Sequence, residues 1–318
     1  MLYFYLLIGM ALLFVGGDFL VRGSVALALK FKVSTLVIGL TVVAFATSAP
    51  ELLVSLQAAL DGHPDISFGN VIGSNIANIG LIMGLTATLF VLPVQKKDYL
   101  IDWIVMVAAT ILLYVFVKIG EPKLGFVSGA ILTTLLVAYN YFKISSSRRE
   151  RKKAEEFDVD LSVRLEPMWK VLGFVLLGIL GLRFGASFFV EGAAGIALDF
   201  GVSERVISVT MVAFGTSVPE LVASLIAARR NEKDLAIGNL LGSNIFNILA
   251  VLGITSLITP IPVQDEALFS FDYWWMLGLA LLVFPFMGLF TKERLGRIEG
   301  LILLASYVVY LVITLQKM

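Results

Sequence analysis

Long stretches free of Lys, Arg, Asp and Glu dominate the chain and recur at a spacing set by the length of a helix. Crossing the roughly 30 Å hydrocarbon layer of a bilayer takes about 20 mostly apolar residues in helical form. Ten segments meet that need, near 2–28, 33–60, 66–92, 99–117, 124–142, 171–197, 206–228, 235–259, 273–291 and 299–316. The pattern predicts an all-α polytopic membrane protein. The first segment has no basic n-region and no small-residue cleavage site ahead of the second, so it reads as a transmembrane helix and not as a secretory signal. The one long connection, 144–168, carries the mixed run Arg148-Arg-Glu-Arg-Lys-Lys-Ala-Glu-Glu156. Such runs are usually solvated, which makes it a hinge between two halves; binding of anionic lipid or a regulatory role is the alternative.

The polar residues inside these apolar segments repeat. Thr41-Val-Val-Ala-Phe-Ala-Thr-Ser-Ala-Pro-Glu51 matches Thr210-Met-Val-Ala-Phe-Gly-Thr-Ser-Val-Pro-Glu220 at an offset of 169 residues. At the same offset Gly69-Asn-Val-Ile-Gly-Ser-Asn-Ile-Ala-Asn78 matches Gly238-Asn-Leu-Leu-Gly-Ser-Asn-Ile-Phe-Asn247. Each copy spans five helices, an odd number, so the second enters the membrane in the opposite sense. The expected organisation is residues 1–143 as one five-helix repeat, 144–168 as a linker, and 169–318 as the inverted repeat, with broken helices meeting at the midplane. Transporters built this way place their substrate site at that meeting point.

Charge sets the orientation and removes several classes of function. Of the 24 Lys and Arg, 18 fall on one side of the ten-span topology and 4 on the other, with Arg22 and Arg183 inside spans. The positive-inside rule then puts both termini outside the cytoplasm, in a multi-pass protein of the cell membrane. Lys and Arg equal Asp and Glu in number, which leaves no basic excess for nucleic acid. With no Cys there are no disulfides, thiolate metal sites or thiol nucleophiles. His63, the single histidine, sits in the loop Asp61-Gly-His-Pro-Asp65 and reads as solvated. There is no HExxH, no GxSxG and no phosphate-binding loop, so the chain does not read as an enzyme, and it suggests neither a cofactor nor a protein partner.

Glu51 and Glu220 are each the lone formal charge of their span, and a carboxylate at that depth needs a cation, a proton or a base. Neither span supplies a base, and Arg22 and Arg183 are more simply assigned to Asp18 or Glu191. Hydroxyls surround each Glu at helical spacing: Thr47, Ser48 and Ser55, and Thr216, Ser217 and Ser224. Pro50 and Pro219 free the carbonyls of Ala46 and Gly215 and loosen the adjoining turn. Ser74 with Asn78, and Ser243 with Asn247, share helix faces, while Asn75 and Asn244 are expected to point elsewhere. Gly69-x-x-x-Gly73 and Gly238-x-x-x-Gly242 read as close-packing faces that would bring those residues to the carboxylates. Every donor is oxygen, which suits Na⁺ and Ca²⁺ rather than Zn²⁺ or Cu⁺.

These motifs resemble the alpha-repeats of the cation/calcium exchanger superfamily, in particular its prokaryotic sodium/calcium exchanger branch, and the resemblance spans nearly the whole chain. It implies adjacent sites for one Ca²⁺ and for Na⁺ at mid-membrane. The Ca²⁺ site would be Glu51 and Glu220 with backbone oxygens of Thr47 and Thr216. The Na⁺ sites would use the carbonyls of Ala44 and Ala213 with Ser48, Ser217, Ser74 and Ser243, and Asn78 and Asn247 would lie near the centre. Potassium-coupled relatives resemble an Asp-bearing pattern at the position of Asn247, so K⁺ is not expected to be required. The function implied is Na⁺/Ca²⁺ antiport by alternating access, with the ions competing for two buried Glu and the first and sixth spans as the sliding element. Protons should compete as well, so acid pH should slow exchange. The alternatives are an H⁺/Ca²⁺ antiporter and, from another class, a passive cation channel or a non-transporting scaffold.

Overall fold

The computed structural model describes the chain except residues 95, 120–121, 156–165, 201–203, 289–293 and 318, and describes 96–98, 119, 151–155, 204–214, 287–288 and 317 without side chains. Helices dominate it: α1 (Leu2–Phe31), α2 (Thr35–Thr47), α3 (Ala49–Leu60), α4 (Pro64–Leu89), α5 (Tyr99–Lys118), α6 (Phe126–Glu155), α7 (Met168–Asp199), α8 (Glu204–Arg229), α9 (Lys233–Ile258), α10 (Leu268–Phe286) and α11 (Arg297–Lys317). Among the described residues eight of these are long and apolar enough to cross a membrane, nine spans when α2 and α3, bent by 43°, count as one. The segment expected as the seventh span lies in α8, which holds Glu204, Arg205, Glu220 and Arg229 and stands outside that count.

Two features depart from the all-helical expectation. Four two-residue strands close the ends of the bundle: β1 (Leu92–Pro93) pairs antiparallel with β4 (Arg294–Leu295), and β2 (Lys123–Leu124) with β3 (Ile261–Pro262). Loop segments at each end thus satisfy each other's backbone groups. The connection expected at 144–168 begins inside α6, which runs on to Glu155 because no Gly or Pro falls between Ala130 and Glu155; residues 156–165 lie outside the described residues.

α1 and α7 occupy equivalent places in the two repeats and pack against each other along their length. Gly9 faces Phe189, Gly16 faces Gly181 and Gly23 faces Val175, so the two helices run antiparallel. The approach is close: a Cβ on Gly16 would lie 2.7 Å from the Gly181 carbonyl carbon, and one on Gly178 would lie 2.5 Å from the Leu20 nitrogen. Small residues at a helix interface permit this spacing.

The centre belongs to α4 and α9. Some 78% of the apolar window of α4 and 83% of that of α9 is buried, against 17% for the peripheral α11. α9 packs on α2 through glycine, since a Cβ on Gly238 would meet the Leu36 carbonyl oxygen at 2.5 Å and one on Gly242 would meet Ala44 Cβ at 2.8 Å. In the first copy the matching face of α8 falls in 204–214, whose side chains lie outside the described residues; among the described residues Gly69 meets Leu268 Cδ2 at 3.7 Å.

Candidate functional site

Each copy of the repeat delivers its Glu differently. α2 ends at Thr47, Ser48 adopts φ −85° and ψ 5°, and α3 restarts at Ala49 with Pro50 and Glu51 in its first turn. Pro50 is tolerated there because a first-turn N–H has no intrahelical partner. α8, by contrast, runs unbroken through Pro219. The expectation of a break in both copies is therefore met in one. The residue four before each proline differs, Ala46 against Gly215. A proline ring crowds the carbonyl four residues back, and without a Cβ at Gly215 the turn adjusts and stays helical.

Glu51 and Glu220 are both fully buried. Ser48 Oγ crosses from the first copy to the second and donates to Glu220 Oε1 at 3.2 Å. Among the described residues no partner meets hydrogen-bond geometry to either oxygen of Glu51 or to Glu220 Oε2. The same holds for Ser74 Oγ, for both polar atoms of the Asn78 side chain and for Asn247 Oδ1. Six buried oxygens thus stand without donors, and no Lys or Arg pairs with either carboxylate among the described residues. Burial of ionised groups without compensation costs several kcal/mol each. Oxygen-lined and negatively charged, the arrangement fits a hard cation as substrate. Among the described residues no three of His, Cys, Asp and Glu gather at one place, so the charge of the site is that of the two Glu.

A second layer holds the carboxylates in place. Asn70 Nδ2 donates to the Glu51 carbonyl at 3.3 Å and to Ser55 Oγ at 3.0 Å; Asn239 Nδ2 donates to the Glu220 carbonyl at 3.4 Å and to Ser224 Oγ at 3.0 Å. The two amides also tie the copies together. Asn239 Oδ1 accepts from Thr47 Oγ1 at 3.2 Å, and Asn70 Oδ1 accepts from Thr216 Oγ1 at 3.4 Å. Thr47 Oγ1 further lies 3.4 Å from Ser243 Oγ. Both Asn lie inside the repeated motif, where an amide in an uncharged apolar span is the signal that could have marked them, but neither residue was singled out from the sequence.

The remaining expected residues are accounted for individually. Ser217 and Asn247 are buried in the same region, and the Ala44 carbonyl accepts Ser48 N–H at 2.9 Å and Thr47 Oγ1 at 3.4 Å. Ala213 lies on α8 in the stretch whose side chains lie outside the described residues. Asn75 does not point away, whereas Asn244 Nδ2 turns back to the Leu240 carbonyl of its own helix at 2.7 Å. Asn75 Nδ2 donates to the Asn244 carbonyl at 3.3 Å, and Asn75 Oδ1 accepts from Asn247 Nδ2 at 3.0 Å, because both flanks of each helix come within reach where α4 and α9 cross. Wide π-helical turns occupy Ala77–Met83 and Asn247–Leu252, at the central Asn of each copy, as such turns often do at functional positions. Arg22 pairs with Asp18 at 2.9 Å, as expected, whereas Arg183 donates to Ser187 Oγ at 2.9 Å rather than to a carboxylate. His63 is exposed in its loop.

The chain matches the sodium/calcium exchanger protein family over residues 1–145 and 170–316. It is 33% identical over 341 residues to the sodium/calcium exchanger MaX1 of Methanosarcina acetivorans, covering 97% of each chain. An uncharacterized membrane protein of Methanocaldococcus jannaschii is 36% identical over 309 residues, covering 96% of this chain and 95% of that one. Among solved structures, the sodium-calcium exchanger NCX_Mj soaked with Na⁺ and Ca²⁺ superposes with a TM-score of 0.79 at 34% identity, over 98% of this chain and 97% of that chain.

Proposed function

This chain belongs to the sodium/calcium exchanger family, a family of membrane antiporters and not of enzymes, and from that membership we propose that it exchanges Na⁺ for Ca²⁺ by alternating access, the two ions competing for Glu51 and Glu220. The observation that carries this reading is the set of six buried oxygens without donors, contributed by both copies of the repeat around two carboxylates without a base. Ca²⁺ would take the Glu pair with the Thr47 and Thr216 region. Na⁺ would use the same carboxylates with Ser48, Ser217, Ser74 and Ser243, the carbonyls of Ala44 and Ala213, and the central Asn78 and Asn247. A proton-coupled exchanger would need only the carboxylates; the hydroxyls and amides around them favour Na⁺. The repeats are assigned to 1–143 and 169–318 with 144–168 as a cytoplasmic linker, both termini lying on the extracytoplasmic face of the cell membrane.

Vesicles loaded with Na⁺, diluted into Na⁺-free and K⁺-free buffer with labelled Ca²⁺, test the proposal. Wild type is expected to accumulate Ca²⁺, and Glu51→Gln and Glu220→Gln are expected to lose the activity. Uptake that follows a pH gradient and ignores Na⁺ would move the assignment to proton coupling.

A further inference from the structure

The two copies of the repeat are not equally closed. In the first, Gly17 of α1 packs directly on α8, where a Cβ would lie 2.6 Å from Ile226 Cδ1. Its neighbour Asp18 is paired with Arg22 and with Arg230, just past the end of α8. The offset of 169 carries Gly17, Asp18 and Arg22 onto Ala186, Ser187 and Glu191 of α7. There α7 stands away from α3, although it still packs on α8, where a Cβ on Gly215 would lie 3.0 Å from Val190 Cγ2. A cavity of about 300 Å³ separates α7, which presents Arg183, Ser187 and Glu191, from a wall formed by Pro50, Thr216 and Pro219. Thr216 is half-buried, while its counterpart Thr47 is 1% exposed, so the cavity ends on this side against residues that adjoin the carboxylates, with Glu51 and Glu220 themselves fully buried.

Arg183, Ser187 and Glu191 recur every four residues and form one stripe of α7. Arg183 is held along that stripe, its Nη1 donating to Ser187 Oγ while Ser187 Oγ donates to the Arg183 carbonyl at 3.2 Å. Glu191 has no such partner among the described residues and lies exposed. Eight residues separate it from Arg183, about 12 Å along the helix toward the end at Asp199. Charged side chains within a membrane span are costly against lipid and instead line water-filled paths.

We propose that this cavity is the entrance through which cations reach Glu51 and Glu220 from the face where α3 and α7 end, and that Glu191 at its rim draws cations in while Arg183, deeper along the same stripe, opposes them. The two side chains then set the cation preference and the entry rate at that face alone. A fixed charge in a mouth with low-dielectric walls raises the local concentration of counter-ions. The effect is steeper for a divalent than for a monovalent cation, so loss of Glu191 should weaken Ca²⁺ capture more than Na⁺ capture. The transport arm of the test rests on the exchange activity proposed above; the labelling arm does not.

The chain has no Cys, so a single introduced thiol reports without background. Ser187→Cys in vesicles is treated with membrane-impermeant thiol reagents carrying a positive or a negative charge. The cationic reagent is expected to react about tenfold faster. Adding Glu191→Gln should cut that preference severalfold, and adding Arg183→Gln should raise it. In the Cys-free chain, Glu191→Gln should raise the KM for Ca²⁺ at this face about threefold or more, leaving kcat and the KM at the opposite face unchanged. Val190→Cys serves if Ser187→Cys fails to fold. Absence of labelling at both positions overturns the entrance, and labelling without charge preference, or with a preference that ignores Glu191→Gln, overturns the role of the charges. Labelling needs no flux, so a proton-coupled transport result would sink the Na⁺/Ca²⁺ reading and leave this one standing.

Discussion

Each carboxylate of the site is positioned by an amide that bonds to its backbone and not to its oxygens. By gripping the Glu51 carbonyl and Ser55 Oγ together, Asn70 fixes the first turn of α3 and so the direction in which Glu51 projects. Asn70→Ala strips donors from two buried acceptors, a loss of about 1–3 kcal/mol for each group left unsatisfied. It is expected to lower the melting temperature and, because Glu51 is no longer held, to raise the KM for Ca²⁺; a fall in melting temperature with KM unchanged would reduce Asn70 to a packing residue. Helical spacing placed Ser55 and Ser224 on the face of the carboxylates, and the structure uses both as acceptors for these amides. Glu51 and Glu220 were legible because a lone charge in an apolar span demands explanation, and Ser74 and Asn78 because they repeat. The partners of Asn70 lie 15 and 19 residues away, on a different helix. Periodicity orders residues along one helix and carries no information on which faces of two helices meet.

Among the elements, the same device, a tyrosine donating to an aspartate, recurs at the two ends of the bundle. Asp102 of α5, fully buried, accepts from Tyr139 at 2.8 Å and pairs with Lys143 of α6 at 2.9 Å, while Asp272 of α10 accepts from Tyr310 of α11 at 2.9 Å. Lys143 lies just past the apolar segment 124–142, yet it is only 9% exposed, because the long apolar stem lets its ammonium reach inward to Asp102. Lys143→Met leaves a buried carboxylate without its cation, which is expected to destabilise the protein by about 3–5 kcal/mol. Adding Asp102→Asn should recover much of the loss in thermal unfolding, and no recovery would mean that Lys143 acts through something other than this pair. The α1–α7 contact tests the element scale in another way. The expected sliding of these helices needs a smooth, close interface, and Gly16 and Gly181 provide it. Gly16→Leu should force the helices apart and slow exchange strongly while Ca²⁺ still binds; unchanged exchange would remove the sliding role from this pair.

At the scale of the whole molecule, the inverted repeat is visible in how each half completes the other. β1 of the first repeat pairs with β4 of the second, and β2 with β3. Ser48 reaches Glu220, and the amides of Asn70 and Asn239 each accept from a threonine of the other copy. Neither half therefore owns a site. On the proposed mechanism the pair carries its two negative charges past an apolar barrier whenever access changes sides, and that is unfavourable unless cations of at least equal charge travel with it. One Ca²⁺ suffices, whereas Na⁺ must bind at least in twos. Ca²⁺ release driven by Na⁺ should accordingly rise with a Hill coefficient of about two or more. On that mechanism protons would meet the same requirement without using the surrounding hydroxyls and amides, and so would compete for the carboxylates without completing the exchange. Exchange measured at fixed Na⁺ and Ca²⁺ is thus expected to be slower at pH 5.5 than at 7.5, with added Ca²⁺ restoring the rate. A Hill coefficient of one, together with rates insensitive to acid, would show that the two carboxylates are not neutralised together and that the halves work separately.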